Sequence, residues 1–174
     1  MILAVDVDYR DSGAIVAGVL FEHWDDNAPA KIVSTIVSEI NPYISGEFYK
    51  RELPCILALL DEIDESLDAI IVDGYVFLDS GKKGLGAHLY DALKHKIPVI
   101  GVAKNAFKDI NEDTFVYRGE SKKPLYVTSV GIANDEAKAF IQKMHGKYRF
   151  PTLLKMVDRQ CRSLNIQELK YVLD

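Results

Sequence analysis

The sequence predicts an α/β fold with a mixed β-sheet, in which antiparallel strands come first and parallel strands follow. Two observations lead to this prediction. The first 40 residues hold three consecutive runs rich in β-forming residues, and the rest of the chain alternates short aliphatic runs with apolar residues at helical spacing. The chain of 174 residues has the size of one domain, so we expect a single domain over 1–174.

The antiparallel part of the sheet is predicted from the start of the chain. Residues 2–9 alternate between apolar and polar positions with period two, which is typical of a strand. A turn at 11–13 leads into a second strand over 14–22, and a third strand is predicted over 31–40. Three consecutive strands with short turns form a meander.

The parallel part follows from the change of period after this meander. Apolar residues recur at helical spacing over 47–65, and the aliphatic run 68–73 is typical of a buried strand. A helix over 85–96 then precedes a second buried strand over 97–103. A strand, a helix and a strand in this order predict a right-handed parallel crossover.

The last third of the chain predicts two short strands, at 114–118 and 125–129, and two helices, at 134–145 and 151–164. Asn134 is a favourable capping residue for the first of these helices.

Composition excludes several classes of protein. Hydrophobic residues make up 48% of the chain and charged residues 27%, as in ordinary globular domains. The longest apolar stretch, 13–21, is too short to cross a bilayer, and Asp6 interrupts what would be the apolar part of a signal peptide. Cys55 and Cys161 lack Cys-x-x-Cys spacing, which favours a reducing compartment. We therefore expect a cytoplasmic protein without a membrane partner.

Charge is divided unevenly along the chain, whose net charge is −5. Residues 1–79 contain 4 Lys+Arg against 16 Asp+Glu, whereas residues 80–174 contain 17 against 10. This division permits a polyanion on the basic half, and it equally permits two faces that attract each other within the domain. The basic residues that are candidates for contacts with a nucleic-acid backbone are Lys82, Lys83, Lys122, Lys123, Lys147 and Arg149.

Three carboxylates lie where the predicted fold could bring them together. Asp6 lies within the first strand, Asp73 ends a buried strand, and Glu52 precedes an apolar helix face. Ligands bind at strand ends in open α/β sheets, and Mg²⁺ prefers oxygen ligands of this kind. The alternative is structural: a solvated edge strand for Asp6, a turn at Asp73 and a surface ion pair for Glu52.

Two further positions could contact a polyanion. Lys104 follows the buried strand 97–103 and would project from the same edge as Asp73, where it could hold a phosphate, unless it is a solvated loop lysine. Tyr43, in a loop, could stack on a base or pack against the domain. The glycine-rich segment 81–86 lacks the Walker spacing, although its glycines would allow close approach of a ligand. The histidines lack zinc-site spacing and the serines lack a nucleophile elbow.

At these positions the chain resembles the endonuclease V family. The family has Pro-Tyr-Ile-Pro-Gly and Arg-Glu-x-Pro motifs, a Val-Asp-Gly motif and a Gly-Val-Ala-Lys motif, and similar segments occur here in the same order. The similar segments are 42–46 (PYISG), 51–54 (RELP), 72–74 (VDG), 84–89 (GLGAHL), 101–104 (GVAK), 126–131 (YVTSVG), 148–151 (YRFP) and 158–159 (DR).

The resemblance implies a ribonuclease H-like fold and a Mg²⁺-dependent endonuclease, with Mn²⁺ as an alternative metal. Such an enzyme would hydrolyse a phosphodiester bond 3′ to a deaminated adenine (inosine) in DNA or RNA, in repair or processing. By this resemblance Asp6, Glu52 and Asp73 are metal-binding and catalytic, and Lys104 is a catalytic residue on the phosphate side. The residues implied in binding the strand and the base are Tyr43, as a wedge, and Gly46, Gly84 and Leu85, as the base pocket.

Several departures from the family pattern bear on activity. Asp79 and Ile132 stand where the family usually has histidines, Ser45 replaces the second proline of the wedge loop, and Tyr75 begins an altered segment after Asp73. A carboxylate at 79 would add negative charge near the metal site.

Two other functions therefore stay open. One is a non-catalytic relative that binds nucleic acid, which the missing histidines favour and the complete set of carboxylates opposes. The other is a nuclease of the same fold with a different substrate.

Overall fold

A seven-stranded mixed sheet lies at the centre of the computed structural model, which describes residues 1–78, 81–167 and 169. The strands are β1 (Ile2–Arg10), β2 (Gly13–Phe21), β3 (Lys31–Val37), β4 (Ala69–Asp73), β5 (Val99–Ala103), β6 (Phe115–Val116) and β7 (Leu125–Val130). The helices are α1 (Tyr49–Leu60), α2 (Leu85–Ala92), α3 (Asn134–Lys143) and α4 (Thr152–Ser163).

The strand order β3-β2-β1-β4-β5-β7-β6 combines two kinds of pairing. Strands β1, β2 and β3 form the antiparallel meander, β1 pairs in parallel with β4, and β4 pairs in parallel with β5. Strand β7 runs antiparallel to both β5 and β6. The predicted α/β class, the early meander and the parallel crossover are therefore confirmed.

The two faces of the sheet carry separate cores. One face packs against α3 and α4, and the other packs against α1 and α2. Alternation along β1 distributes its residues between them: Ile2 and Ala4 face α4, whereas Leu3 and Val5 face α1. The same alternation determines on which face of the sheet each polar residue farther along β1 lies.

Several elements are shorter than the sequence predicts. Helix α2 ends at Ala92 because its last carbonyl groups accept hydrogen bonds from the ammonium group of Lys96, at 2.8 Å from Tyr90 and 3.1 Å from Asp91. The strand predicted at 114–118 is reduced to two residues because Thr114 ends a 3₁₀ turn.

The predicted cap of α3 is wrong. Ala133 is the N-cap residue, and Asn134 instead joins the helix to β7 by accepting a hydrogen bond from Ser129 and donating one to the Val127 carbonyl. No helix within the described ranges has the length and apolar character needed to cross a membrane.

Candidate active site

Asp6 and Asp73 lie side by side where the parallel pairing of β1 with β4 ends. Val5 of β1 pairs with Val72 of β4, so the next residue of each strand, Asp6 or Asp73, lies next to the other. Alternation places both side chains on the face that α4 covers, because Ala4 and Ile71, two positions earlier, belong to that core. Pairing in register therefore brings together two acids that are 67 positions apart in the chain.

A small cavity of about 20 Å³ lies against these two carboxylates. Asp6 and Asp73 supply its acidic part, and Phe150, Leu154 and Val157 close it from the side of α4. A cavity of this size holds about one water molecule.

Glu52 approaches from the opposite face of the sheet. It lies in the first turn of α1 and is only 5% exposed. The Tyr9 hydroxyl donates a hydrogen bond of 2.5 Å to Glu52 Oε2, and the Arg51 guanidinium stacks over the Tyr9 ring at 3.6 Å. Tyr9 points toward α1 because it lies an even number of residues after Val5 and Leu3, which belong to that core.

Asp158 of α4 is a fourth carboxylate near the strand ends. Its side chain is 22% exposed and forms an ion pair of 3.1 Å with Arg162. It follows Val157, which lines the cavity of Asp6 and Asp73. The Arg10 guanidinium donates to the carbonyl groups of Cys161 and Arg162, which fastens the end of α4 to the end of β1. We call Asp6, Glu52, Asp73 and Asp158 the acidic centre.

Shielding from water, together with the negative charge of neighbouring acids, raises the pKa of Asp6, Glu52 and Asp73. Burial raises the pKa of Asp6 to about 7, and the negative charges of Asp73, Asp158 and Glu52 act in the same direction. Burial also raises the pKa of Glu52 to about 7, although the hydrogen bond from Tyr9 opposes that shift. Burial also raises the pKa of Asp73, although the nearby ammonium group of Lys104 opposes that shift. Such a cluster accommodates positive charge readily.

The donor chemistry of the acidic centre fits a divalent cation such as Mg²⁺, which takes one or two carboxylates and completes its shell with water and phosphate oxygens. Within the described part of the chain, no three His, Cys, Asp or Glu side chains are grouped closely enough to hold one ion together. Asp6 and Asp73 are neighbours through the pairing of β1 with β4, whereas Glu52 approaches them from the other face of the sheet. Asp79, which stands at a family histidine position, lies outside the described residues.

Lys104 projects from the end of β5 toward the acidic centre, as its position after the strand predicts. Its ammonium group is 3.9 Å from Asp73 Oδ2 and lies over the Phe150 ring at 4.5 Å. The Arg149 guanidinium donates to the Lys104 carbonyl and thereby fixes the backbone of that residue. A cation is therefore available beside Asp73.

The three residues expected in a base pocket do lie together. Gly46, Gly84 and Leu85 line one pocket of about 130 Å³, together with Tyr49 and Lys83. A Cβ atom at Gly84 would lie 2.5 Å from the Tyr75 carbonyl oxygen, so this wall of the pocket has no room for a larger residue.

The other predicted binding residues lie at the surface. Tyr43 is 63% exposed in the loop before α1, where it is free to contact a strand. Lys82 is exposed beside the pocket, whereas Lys83 forms an ion pair of 2.6 Å with Asp91. His88 stacks on Tyr49 with ring centroids 3.6 Å apart and joins α1 to α2.

Three residues of this site were not among the candidates from the sequence. Tyr9 was not singled out because its partner Glu52 is 43 positions away. Asp158 lies in the family-like segment 158–159, which is the sequence signal for it, but that segment had no role assigned. Phe150 lay in a family-like segment but had no role assigned.

Comparison with known proteins identifies the family. A family model described as Endonuclease V matches residues 1–159. Endonuclease V of Streptomyces avermitilis is 32% identical, with 92% of this chain and 79% of that protein aligned. Endonuclease V of Pyrococcus horikoshii is 31% identical, with 97% and 76% aligned.

Solved structures agree in fold. The crystal structure of the Streptomyces avermitilis protein matches with a TM-score of 0.73 and 29% identity over 99% of this chain and 82% of that one. Endonuclease V of Ciona intestinalis, in complex with a 24mer DNA containing an inosine followed by a ribo-adenosine, matches with a TM-score of 0.78 and 18% identity over 98% and 86%. The ribonuclease H-like fold is thus confirmed, and the chain belongs to the endonuclease V family.

Proposed function

We propose that this protein is a metal-dependent endonuclease that hydrolyses a phosphodiester bond 3′ to inosine, in the repair or processing of deaminated nucleic acid. The observation that carries this proposal is the pair Asp6 and Asp73, which share one small cavity where the parallel pairing of β1 with β4 ends. Carboxylates at such strand ends are the ligands that phosphodiester hydrolysis by Mg²⁺ requires.

Each acid has a separate part in this proposal. Asp6 and Asp73 would hold the metal, and Glu52 would offer Oε1 to the water around it, since Oε2 accepts the hydrogen bond from Tyr9. Asp158 adds negative charge from α4, and Arg162 limits that charge by pairing with it. The bound Mg²⁺ or Mn²⁺ would supply Lewis-acid activation of water and neutralise charge on the phosphate.

Lys104 binds the substrate phosphate in this proposal. Its ammonium group lies close enough to Asp73 to pair with it before substrate arrives, and it can turn to a phosphate oxygen held at the same strand end. A fixed cation there stabilises the charge that develops on the phosphate. The Phe150 ring under the ammonium group keeps it near this position.

Recognition of the base falls to the pocket lined by Gly46, Gly84 and Leu85. Gly74 connects this pocket to the acidic centre, because it lines the pocket and directly follows Asp73. An extruded base in this pocket would leave its 3′ phosphate near the strand ends. Tyr43, exposed in the neighbouring loop, would stack on the strand beside the space that the extruded base leaves.

Cleavage of end-labelled oligonucleotides tests the proposal. We would incubate inosine-containing strands and matched adenine-containing strands, as DNA and as RNA, with Mg²⁺, with Mn²⁺ and with EDTA. We expect inosine-dependent cutting that requires the metal. The Asp73→Asn variant should lose at least about 100-fold in rate, because it removes one of the two acids at the cavity.

Asp25→Asn is the matched control for this loss. Asp25 is exposed and lies in the turn after β2, and β2 ends at Phe21, which pairs with Ile2 at the opposite end of β1 from the acidic centre. The Asp25→Asn variant should cut at the native rate. Equal cutting by the native protein and Asp73→Asn would show that the activity does not come from this centre.

A second function, binding of deaminated nucleic acid without cutting, is favoured by Ile132. This residue, at a family histidine position, packs against the core beside α3 and offers no polar group. If the second function holds, the native protein binds inosine-containing strands equally well in EDTA and in Mg²⁺ and cuts none of them.

A further inference from the structure

A second recess lies beside the acidic centre, between the loop after α3 and the exposed side of α4. We call it the aromatic groove. Its volume is about 440 Å³, far larger than the cavity at Asp6 and Asp73. The lining residues that matter here are Tyr148, Phe150, Thr152, Lys155, Arg159 and Gln160.

Phe150 connects this groove to the acidic centre. It lines both the cavity at Asp6 and Asp73 and the groove. Lys104 lies over the same ring at 4.5 Å. A strand whose phosphate is held at Lys104 therefore has the groove as an adjoining surface.

Tyr148 is an exposed aromatic ring with two cations nearby. It is 61% exposed, and the ammonium groups of Lys147 and Lys155 lie 5.3 Å and 5.2 Å from its ring centroid. Arg159 follows Lys155 by one helical turn and lines the same groove. Among the described residues that line the groove, none is acidic. Stacking surface and positive charge thus occur together.

The loop that carries Tyr148 is fixed by a buried arginine. Arg118 is 3% exposed, and its guanidinium donates to the carbonyl groups of Met144 at 2.5 Å, Gly146 at 3.1 Å and Tyr148 at 2.8 Å. Arg149 adds a bond of 2.8 Å to the Pro124 carbonyl. The ring is therefore presented on a backbone that is held in place before any ligand arrives, which lowers the entropy lost on binding.

We propose that the aromatic groove binds a single-stranded segment of the nucleic-acid substrate beyond the base at the acidic centre. One base of this segment stacks on Tyr148, and its phosphates contact Lys155 and Arg159. Exposed aromatic rings flanked by cations are the usual means of holding unpaired strands, since every base offers a flat face. The inference rests on the proposed function for the identity of the strand, but it concerns a surface outside the base pocket.

Binding of fluorescent single strands in EDTA tests this inference without requiring cleavage. We would compare 20-nucleotide inosine-containing strands with control strands of the same length and charge. The control strands keep the inosine but carry abasic sites at all other positions. The Tyr148→Ala variant should bind the base-bearing strand about 5- to 100-fold more weakly than the native protein does. Tyr148→Trp should restore the affinity, and binding of the abasic strand should be the same in all three proteins.

Two controls separate stacking from charge. Tyr117→Ala removes another exposed aromatic ring, which is 54% exposed and packs edge-on to Phe115 outside the groove, and it should not change affinity. Lys155→Gln should lower the slope of log affinity against log salt by about 0.7, as expected for one lost contact with a single-strand phosphate. Lys94→Gln, at an exposed position after α2, should leave the slope unchanged.

The outcomes distinguish this inference from the proposed function. Equal binding of base-bearing strands by the native protein and Tyr148→Ala would contradict the proposal that the aromatic groove binds a strand, even if inosine-dependent cleavage is found. An equal loss of affinity for base-bearing and abasic strands in Tyr148→Ala also overturns it, because stacking requires bases. Absence of cleavage together with the expected binding pattern would overturn the proposed function and leave the groove supported.

Discussion

Tyr9 of β1 donates a hydrogen bond of 2.5 Å to Glu52 of α1, a residue 43 positions away. The bond joins the end of a strand to the first turn of a helix on one face of the sheet. It leaves Glu52 Oε1 as the oxygen available to the acidic centre. The position of this carboxylate therefore depends on a phenol that lies outside the group of acids.

We expect Tyr9→Phe to destabilise the protein at pH 8 by about 1–3 kcal/mol, because it leaves a buried carboxylate oxygen without its donor. Urea unfolding in EDTA measures this change. Glu52→Gln and the double variant complete a thermodynamic cycle, in which the two effects should be strongly non-additive. Tyr117→Phe, at an exposed ring, is the control and should change the free energy of unfolding little. Additive effects of Tyr9→Phe and Glu52→Gln would show that the bond contributes nothing.

Asp6 should make the metal-free protein less stable as pH rises. Its pKa is about 7 in the folded protein against 3.8 ordinarily, so the folded state holds a proton that the unfolded state has released. The contribution of Asp6 to stability is therefore most favourable below pH 4, falls between about pH 4 and 7 and is level above that range.

Asp6→Asn removes this penalty. At pH 8 in EDTA we expect it to be more stable than the native protein by about 2 kcal/mol, about half of what the full shift would give, because Asp6 is partly exposed and water screens its charge. This difference raises Tm by about 4–8 °C in a chain of this size. Near pH 4 the two proteins should unfold at similar temperatures. Thermal unfolding across this pH range is the measurement, with Asp25→Asn as an exposed control. A difference in Tm that stays constant with pH would contradict the raised pKa of Asp6.

Divalent metal should stabilise the native protein more at pH 8 than at pH 6. Asp6 and Glu52 must lose their protons to bind a cation, and both have a pKa of about 7. Mg²⁺ at 100 times its Kd should add about 2.7 kcal/mol of stability. Thermal unfolding with Mg²⁺, against NaCl of equal ionic strength, measures the difference. A rise in Tm that is equal at both pH values, or undiminished in Asp73→Asn, would mean that the ion binds elsewhere.

The order of the elements was predictable because it depends on local patterns. Alternation in β1 and aliphatic runs in β4 and β5 are properties of short segments, and so the meander and the crossover could be read from the chain. Helix α2 ended earlier than predicted because the Lys96 side chain reaches back to its carbonyl groups, which the apolar pattern does not encode.

The acidic centre could be predicted only in part. Asp6 lies within β1 and Asp73 ends β4, and both positions are visible in the sequence. The bond from Tyr9 to Glu52 and the place of Asp158 depend on how α1 and α4 pack on opposite faces of the sheet. The rigid support of Tyr148 likewise depends on Arg118, which is 30 positions away in the chain. Contacts of this kind follow from the three-dimensional packing.

Gly84 should limit the size of the base pocket, and Gly84→Ala tests this. The residue has an extended backbone that any amino acid adopts, so only space opposes the substitution. A new Cβ would lie 2.5 Å from the Tyr75 carbonyl oxygen, and a backbone atom yields little. We expect a loss of stability of about 1–3 kcal/mol and about tenfold weaker binding of an inosine-containing strand. Binding of the same strand with guanine, measured in EDTA, is the control and should not change. A folded Gly84→Ala protein that keeps the native preference for inosine would show that the base binds elsewhere.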